Sequence, residues 1–270
     1  RVFSLINNSL KANELFYQDP HGAPAVTKVI GVIQARLTSI RLAQKAILPL
    51  VGRPVMHHLF DRALRIKGID DLVLAIPTGE ANDPLVAATE AYPHPIKVVR
   101  GPDDDLTTRF LMAADLTGAD VLVRMWGDCP VTDPGLADGL LQAFTEAGVS
   151  WADYPNNSGY PEGVETHILR VEALRRLVAE TSDATDREGI IDYFRLHADR
   201  FPALSIYRKP DRSHLKCLLD TEDDYRRITK IFDILYPDNP SFGISELEAL
   251  AEERPELFDS QHTTVKGTGG

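Results

Sequence analysis

Four short apolar runs, dense in Val, Ile and Leu, set the architecture open to this chain: residues 28–34 (KVIGVIQ), 71–76, 96–100 and 119–125. Runs this brief and this continuous belong to strands buried on both faces, the pattern of a parallel sheet. Between them helical spacing takes over. Over 54–66, Val55, Leu59 and Ala63 fall on one side with Met56, Phe60 and Leu64, and Pro54 suits a first helical turn. Asp83-Pro84 opens a short helix, a capping residue followed by proline. Residues 104–116 form a third, with Leu106, Phe110, Ala113 and Ala114 inward. Strand and helix in alternation predict βαβ units and the α/β class: a Rossmann-like, open, mainly parallel sheet.

The second half is less regular. Strands are expected at 164–169, 204–207 and 215–219, and helices at 171–180, 186–197, 222–235 and 244–252. No composition break separates the halves, so one α/β domain with a C-terminal elaboration is expected. Residues 1–27 read as an N-terminal extension with a short helix near 10–17, and 263–270 (TTVKGTGG) as a flexible tail.

Twenty-nine basic residues against forty acidic give a net charge of −11, a poor balance for nucleic acid, whose binding depends on Lys and Arg at phosphates. No apolar run approaches the ~20 residues of a membrane span. Cys129 and Cys217 stand far apart with no metal-ligand spacing, which suits a reducing, cytoplasmic setting and argues against a disulfide framework. No signal peptide is legible near the start.

Against this acidic background, no Asp or Glu occurs between Pro20 and Phe60, while Lys28, Arg36, Arg41, Lys45 and Arg53 all do. In an open parallel sheet, ligands bind beyond the carboxyl ends of the strands. The loop after the first strand, Gln34-Ala-Arg36-Leu-Thr38-Ser39-Ile-Arg41-Leu-Ala-Gln-Lys45, therefore reads as a polyphosphate cradle, or else as a solvated basic loop. Neither a GxGxxG nor a GxxxxGK[ST] fingerprint is present. Asp128, leaving the fourth strand after Gly127, is placed to hold Mg²⁺ opposite the phosphates; a turn-forming Asp is the alternative. Asp220 repeats the arrangement, with a helix N-cap as its alternative. Asp103-Asp104-Asp105 resembles a DxD metal motif but is explained by acid at a helix start. Cys129 reads as a packed thiol and His57-His58 as structural. Glu165 and His167 alternate along a strand and so share a face, either in a pocket or as a half-buried pair.

The stretch A-R-L-T-S-I-R-L-A-Q-K, followed by I-L-P-L-V-G-R-P-V, resembles the signature of sugar-nucleotide cytidylyltransferases, nearest to the spore coat polysaccharide biosynthesis protein F group. That group is related to the CMP-Kdo and acylneuraminate synthetases. Further matches are R-G-P-D-D-D-L-T-T-R-F from Arg100, R-M-W-G-D-C-P-V-T-D-P from Arg124, Y-P-E-G-V-E from Tyr160, D-R-E from Asp186 and L-D-T-E-D-D from Leu219. They cover about residues 28–255 in order. The resemblance implies a nucleotide-diphospho-sugar-transferase, GT-A-like domain over 28–262 that joins CMP from CTP (or the equivalent from another NTP) to a sugar acid or related small acceptor, releasing pyrophosphate. It implies Mg²⁺ on Asp128 and Asp220, with Arg36, Arg41, Lys45 and Asp128 as the catalytic set. Ala35, Arg36, Ser39, Arg41, Lys45, Asp105, Arg109 and Gly127 would bind nucleotide, and Arg124, Glu165 and His167 the acceptor. A homodimer is also implied.

The departures are specific. Ala43-Gln44 stand where the pattern has Pro-Gly, and Thr38 and Ile40 where Gly and Thr are commoner, which predicts another loop shape. Glu165-x-His167 replaces D-x-E, and Gly189 replaces the His after the R-E pair; both fall where the acceptor would sit, pointing to an unusual acceptor. Two other readings stay open: a glycosyltransferase using the triple-Asp segment, and a degenerate nucleotide-binding protein with an altered loop.

Overall fold

A computed structural model describes residues 28–39 and 41–258. The extension expected at 1–27, its helix, Ile40 and the tail at 263–270 lie outside these residues. A seven-stranded sheet runs in the order β5-β4-β1-β6-β8-β7-β9. Its strands are β1 (Val29–Gln34), β4 (Asp71–Pro77), β5 (Lys97–Gly101), β6 (Val121–Trp126), β7 (Trp151–Asp153), β8 (His167–Arg170) and β9 (Ala203–Ser205). Strands β1, β4, β5 and β6 are mutually parallel, β8 runs against both β6 and β7, and β9 lies parallel to β7. The expected α/β sheet is the one observed.

Helices cover both faces. On one, α1 (Val55–Ala63), α2 (Asp83–Glu90) and α4 (Pro134–Ala147) pack Met56, Phe60, Leu85, Leu140 and Phe144 on Ile33, Leu74 and Met125. On the other, α3 (Leu106–Thr117), α5 (Val171–Glu180) and α7 (Ile190–Leu196) bury Phe110, Leu174 and Phe194 against Ile30, Val32 and Leu122. Alternate residues of β1 thus serve opposite faces, which is why the run reads as continuously apolar. A third cluster lies under α8 (Glu222–Leu235) and α9 (Ile244–Glu253), against the short hairpin β2 (Pro49–Leu50) and β3 (Arg53–Pro54).

Three expectations need correction, and two elements have no counterpart in the sequence analysis. Helix α4 and strand β7 went unread, although Asp133-Pro134 is a cap followed by proline: the Asp133 carboxylate accepts from the Gly135 and Leu136 amides. The helix expected over 186–197 breaks at Gly189 into α6 (Ala184–Glu188) and α7. The strand expected over 164–169 is ordered as sheet only from His167. Residues 215–219 alternate as a strand should, burying Leu215, Cys217 and Leu219, yet they join no sheet and make one isolated bridge, Lys216 to Glu162. Period-2 burial arises wherever an extended segment lies on a core, with or without a ladder.

From β1 the chain steps outward to β4 and β5, then returns to β6 on the other flank of β1. That reversal opens a crevice beyond the carboxyl ends of β1 and β6, where open α/β sheets bind their ligands.

Candidate active site

A cleft of about 770 Å³ occupies this crevice. Gly127 sets its floor: its amide donates to Gln34 O at 2.8 Å, and a β-carbon there would meet Ala35 Cβ at 2.6 Å. Only glycine lets the two strand ends approach so closely. Above it, the loop leaving β1 is pinned by buried Asn82, whose Oδ1 accepts from the Leu37 amide at 3.0 Å and whose Nδ2 donates to Pro77 O. Gln44 then takes a left-handed conformation (φ 55°, ψ 22°) before a single 3₁₀ turn over Lys45–Ile47. Gln44 thus adopts the region a glycine enters freely, at a cost of about 1 kcal/mol.

The turn carries Lys45 inward. Its Nζ lies 2.5 Å from Asp128 Oδ2, 3.0 Å from Leu219 O and 3.7 Å from Asp220 Oδ1. Arg41 Nη1 takes the other Asp220 oxygen at 2.8 Å. Asp220 reaches this point because the Leu219 amide donates to Asp128 O at 2.8 Å, tying the 215–219 segment to the end of β6. The helix-cap alternative for Asp220 does not hold: the N-cap of α8 is Thr221, in a capping box with Asp224. Arg36 closes the mouth opposite, 3.6 Å from Asp103. Ala35, Ser39, Arg109 and Gly127 complete the expected lining, with Thr38, Trp126 and Glu188 beside them.

Asp105 departs from its expected place near the base. Its carboxylate caps α3, accepting from the Thr108 amide at 2.8 Å, and pairs with Arg187 at 3.0 Å; it does not line the cleft. These bonds outweigh burial and hold its carboxyl below the usual range. Among the described residues no group of three or more potential ligands forms a metal cluster, so the triple-Asp segment assembles none. Arg109 is buried and holds the same loop, its Nη1 donating to Pro102 O and Asp103 O.

A second cavity of about 250 Å³ adjoins the first, sharing Trp126 and Glu188 with it. Arg124, Glu165 and His167 all line it, so the structure brings together three side chains from β6, β8 and the approach to β8. Arg124 is only 8% exposed. Its guanidinium lies 4.7 Å from the Trp126 ring centroid and 5.7 Å from that of Phe110, and Nε donates to Gln34 Oε1. No described carboxylate lies within ion-pairing distance, and burial lowers its pKa to about 10. His167 sits edge-on to Trp126 at 4.7 Å; burial lowers its pKa well below the usual histidine range, and its Nδ1 has no partner among the described residues. Glu165 accepts from the Gly163 amide at 2.7 Å, and burial raises its pKa.

Two residues serve here without having been singled out by the sequence reading: Trp126, the wall between the cavities, and Glu188, which lines both. Their only sequence signal was membership of longer matched segments. Asn82 gave none. The remaining candidates are structural. His57 and His58 bond Ala88 O and Leu50 O. Both cysteines are buried free thiols; burial raises the Cys129 pKa well above its ordinary value and pushes Cys217 up to about 12.

The open α/β fold with a cleft at its reversal point is the one that cytidylyltransferase structures share, and the family match below makes the chain a nucleotidyltransferase. The chain belongs to the cytidylyltransferase family, whose model matches residues 30–264. It is 26% identical over 239 residues to the spore coat polysaccharide biosynthesis protein SpsF of Bacillus subtilis, covering 84% of this chain and 95% of that protein. It is also 26% identical over 218 residues to the uncharacterised protein MJ1063 of Methanocaldococcus jannaschii, covering 78% and 87%. Among solved structures, a cytidylyltransferase from Leptospira borgpetersenii superposes with a TM-score of 0.80 at 23% identity, over 87% of this chain and 98% of its own. A CMP:2-keto-3-deoxy-manno-octonic acid synthetase complexed with CTP gives 0.57 at 17% identity, over 77% and 99%. No described helix is long and apolar enough to cross a membrane.

Proposed function

We propose that the chain transfers CMP from CTP to a small anionic acceptor, a sugar acid or a relative of one, with release of pyrophosphate. The observation that carries this reading is the meeting of Arg36, Ser39, Arg41 and Lys45 with Asp128 and Asp220 in one cleft at the sheet's reversal point. Arg36, Arg41 and Lys45 take the triphosphate, where cations offset charge that moves onto the leaving group. Gly127 and Ala35 give the nucleotide a close approach to backbone. The acceptor lies in the adjoining cavity, its anionic group on the fork of Arg124, which no described carboxylate occupies, against Trp126, His167 and Glu165.

In the reaction an acceptor oxygen forms a bond to the α-phosphorus. The bond from that phosphorus to its bridging oxygen breaks, pyrophosphate leaves with the electron pair, and the acceptor's proton passes to water. The donor set suits a divalent cation: the Asp128 and Asp220 carboxylates converge on one point, held now by an ammonium, and Mg²⁺ asks for one or two carboxylates completed by phosphate and water. Bound there, Mg²⁺ would supply charge neutralisation at the phosphates.

The test is pyrophosphate release with each of the four NTPs, Mg²⁺ and a panel of sugar acids, sialic-type acids and sugar phosphates. The expected result is release with CTP and an anionic acceptor only. Release with a neutral acceptor, or with a purine triphosphate in preference to CTP, would refute the assignment.

A further inference from the structure

The position of Lys45 is not explained by phosphate binding alone. Its ammonium lines the cleft but is engaged by the chain's own oxygens. It lies between the two carboxylates, with Asp128 Oδ2 at 2.5 Å, Asp220 Oδ1 at 3.7 Å and Leu219 O at 3.0 Å, and its side chain is only 14% exposed. Arg41 covers the outer oxygen of Asp220. Two negative charges are thus met by two positive ones belonging to the chain itself. The same Lys45 is the residue best placed to meet a triphosphate.

We infer that Lys45 is the resident counter-cation of the Asp128–Asp220 pair, so that a divalent metal takes its place between the carboxylates only as a triphosphate draws the ammonium away. The inference rests on reading this cleft as the metal–triphosphate site. Its physical basis is charge. A metal arriving alone would lie beside the Lys45 and Arg41 cations in a half-buried site where screening is weak. A triphosphate arriving alone would face two carboxylates. Arriving together they exchange partners: the ammonium passes to phosphate and the carboxylates to the metal. Each ligand then strengthens the other's binding by the same factor, as linkage requires. Lys45 acts here as a positioning residue that makes metal binding conditional on nucleotide, in addition to its contact with the phosphates.

The experiment measures Mn²⁺ binding by the loss of its free-ion EPR signal, with and without CTP and against CTP alone, for the wild-type chain, Lys45→Gln, Lys45→Arg and Lys45→Gln/Asp128→Asn. Wild type is expected to bind Mn²⁺ weakly without nucleotide and at least about tenfold more tightly with it, a coupling of about 1.4 kcal/mol. Lys45→Gln is expected to gain about tenfold in nucleotide-free Mn²⁺ affinity, to lose most of the dependence on CTP, and to rise in melting temperature on adding Mn²⁺ by more than wild type does. Lys45→Arg, which keeps the charge, is expected to exclude the metal as wild type does, and Asp128→Asn to erase the gain of Lys45→Gln. A Lys45→Gln chain that folds only with Mn²⁺ present supports the same exchange. If wild type binds Mn²⁺ with CTP but Lys45→Gln binds it no better without, the inference is overturned and the reading of the cleft stands. If no form binds Mn²⁺ even with CTP, the metal site itself is refuted and the inference falls with it.

Discussion

The outer cleft and the inner cavity share Trp126 and Glu188 but hold their charges in opposite ways. In the outer cleft every cation of the loop has a carboxylate: Lys45 on Asp128 and Asp220, Arg41 on Asp220, Arg36 on Asp103. Arg36 and Arg41 are also largely exposed, so their pairing is weak and readily exchanged. In the inner cavity Arg124 is buried over two aromatic rings with no described carboxylate in ion-pairing distance, and burial lowers the His167 pKa well below the usual histidine range. Under the proposed function the first site would swap internal partners for external ones. The second holds a desolvated charge that an entering anion would offset. The two differently charged sites adjoin, with Trp126 and Glu188 lining both.

The largest expected effect tests the exchangeable side. Asp128→Asn should lower the rate of pyrophosphate release by about a thousandfold, since several kcal/mol of charge stabilisation leave with the carboxylate. Circular dichroism should be unchanged, and full activity in that variant would remove Asp128 from the mechanism. Acid should expose the desolvated histidines next. Burial lowers His58 to about 4, so the folded chain resists a proton that the unfolded chain accepts below about 6.5. Stability linked to this group is complete above pH 6.5 and lost as pH falls toward 4, by about 3 kcal/mol. Chemical denaturation across that range should show the slope, and His58→Leu should flatten it; His167, lowered for the same reason, should add to the slope in both forms.

Arg124→Met separates the two sites directly. It should raise the acceptor KM by about 10- to 100-fold, the equivalent of a charge-assisted hydrogen bond, while CTP binding stays unchanged. The melting temperature should hold or rise, because a buried cation with no described carboxylate partner is removed. A fall in CTP affinity instead would place Arg124 in the outer site. The smallest effect lies in the loop: Gln44→Gly should stabilise by about 1 kcal/mol or less, by relieving the left-handed backbone at that residue.

These contrasts also explain what the sequence made legible. The outer site was readable because its parts are local: a strand end, a basic loop free of acid, and a carboxylate after Gly127. Their convergence follows from the parallel order of β1 and β6, which the apolar runs foretell. Asp220 was readable as a position, but its role as neighbour rather than cap depended on the Leu219–Asp128 bond, a contact across ninety-one residues of chain. The inner cavity was readable only in part. Glu165 and His167 share a face by alternation, yet nothing in the sequence says that Arg124 lies opposite His167, since that is a matter of strand pairing. The break at Gly189 and the unpaired 215–219 segment were misread for a related reason. Local periodicity reports burial, whereas sheet membership depends on a partner elsewhere.

That pairing has a further consequence. Along β6, Trp126 is matched to Gln34 of β1, and Arg124, two residues earlier, to His167 of β8. Two residues of strand span about 7 Å, a length set by backbone geometry and not adjustable by side-chain motion. Under the proposed function that strand would act as a gauge: it would fix the span from the anchored end of an acceptor to the place where nucleotide begins, and molecules would be sorted by the number of atoms between their anion and their attacking oxygen.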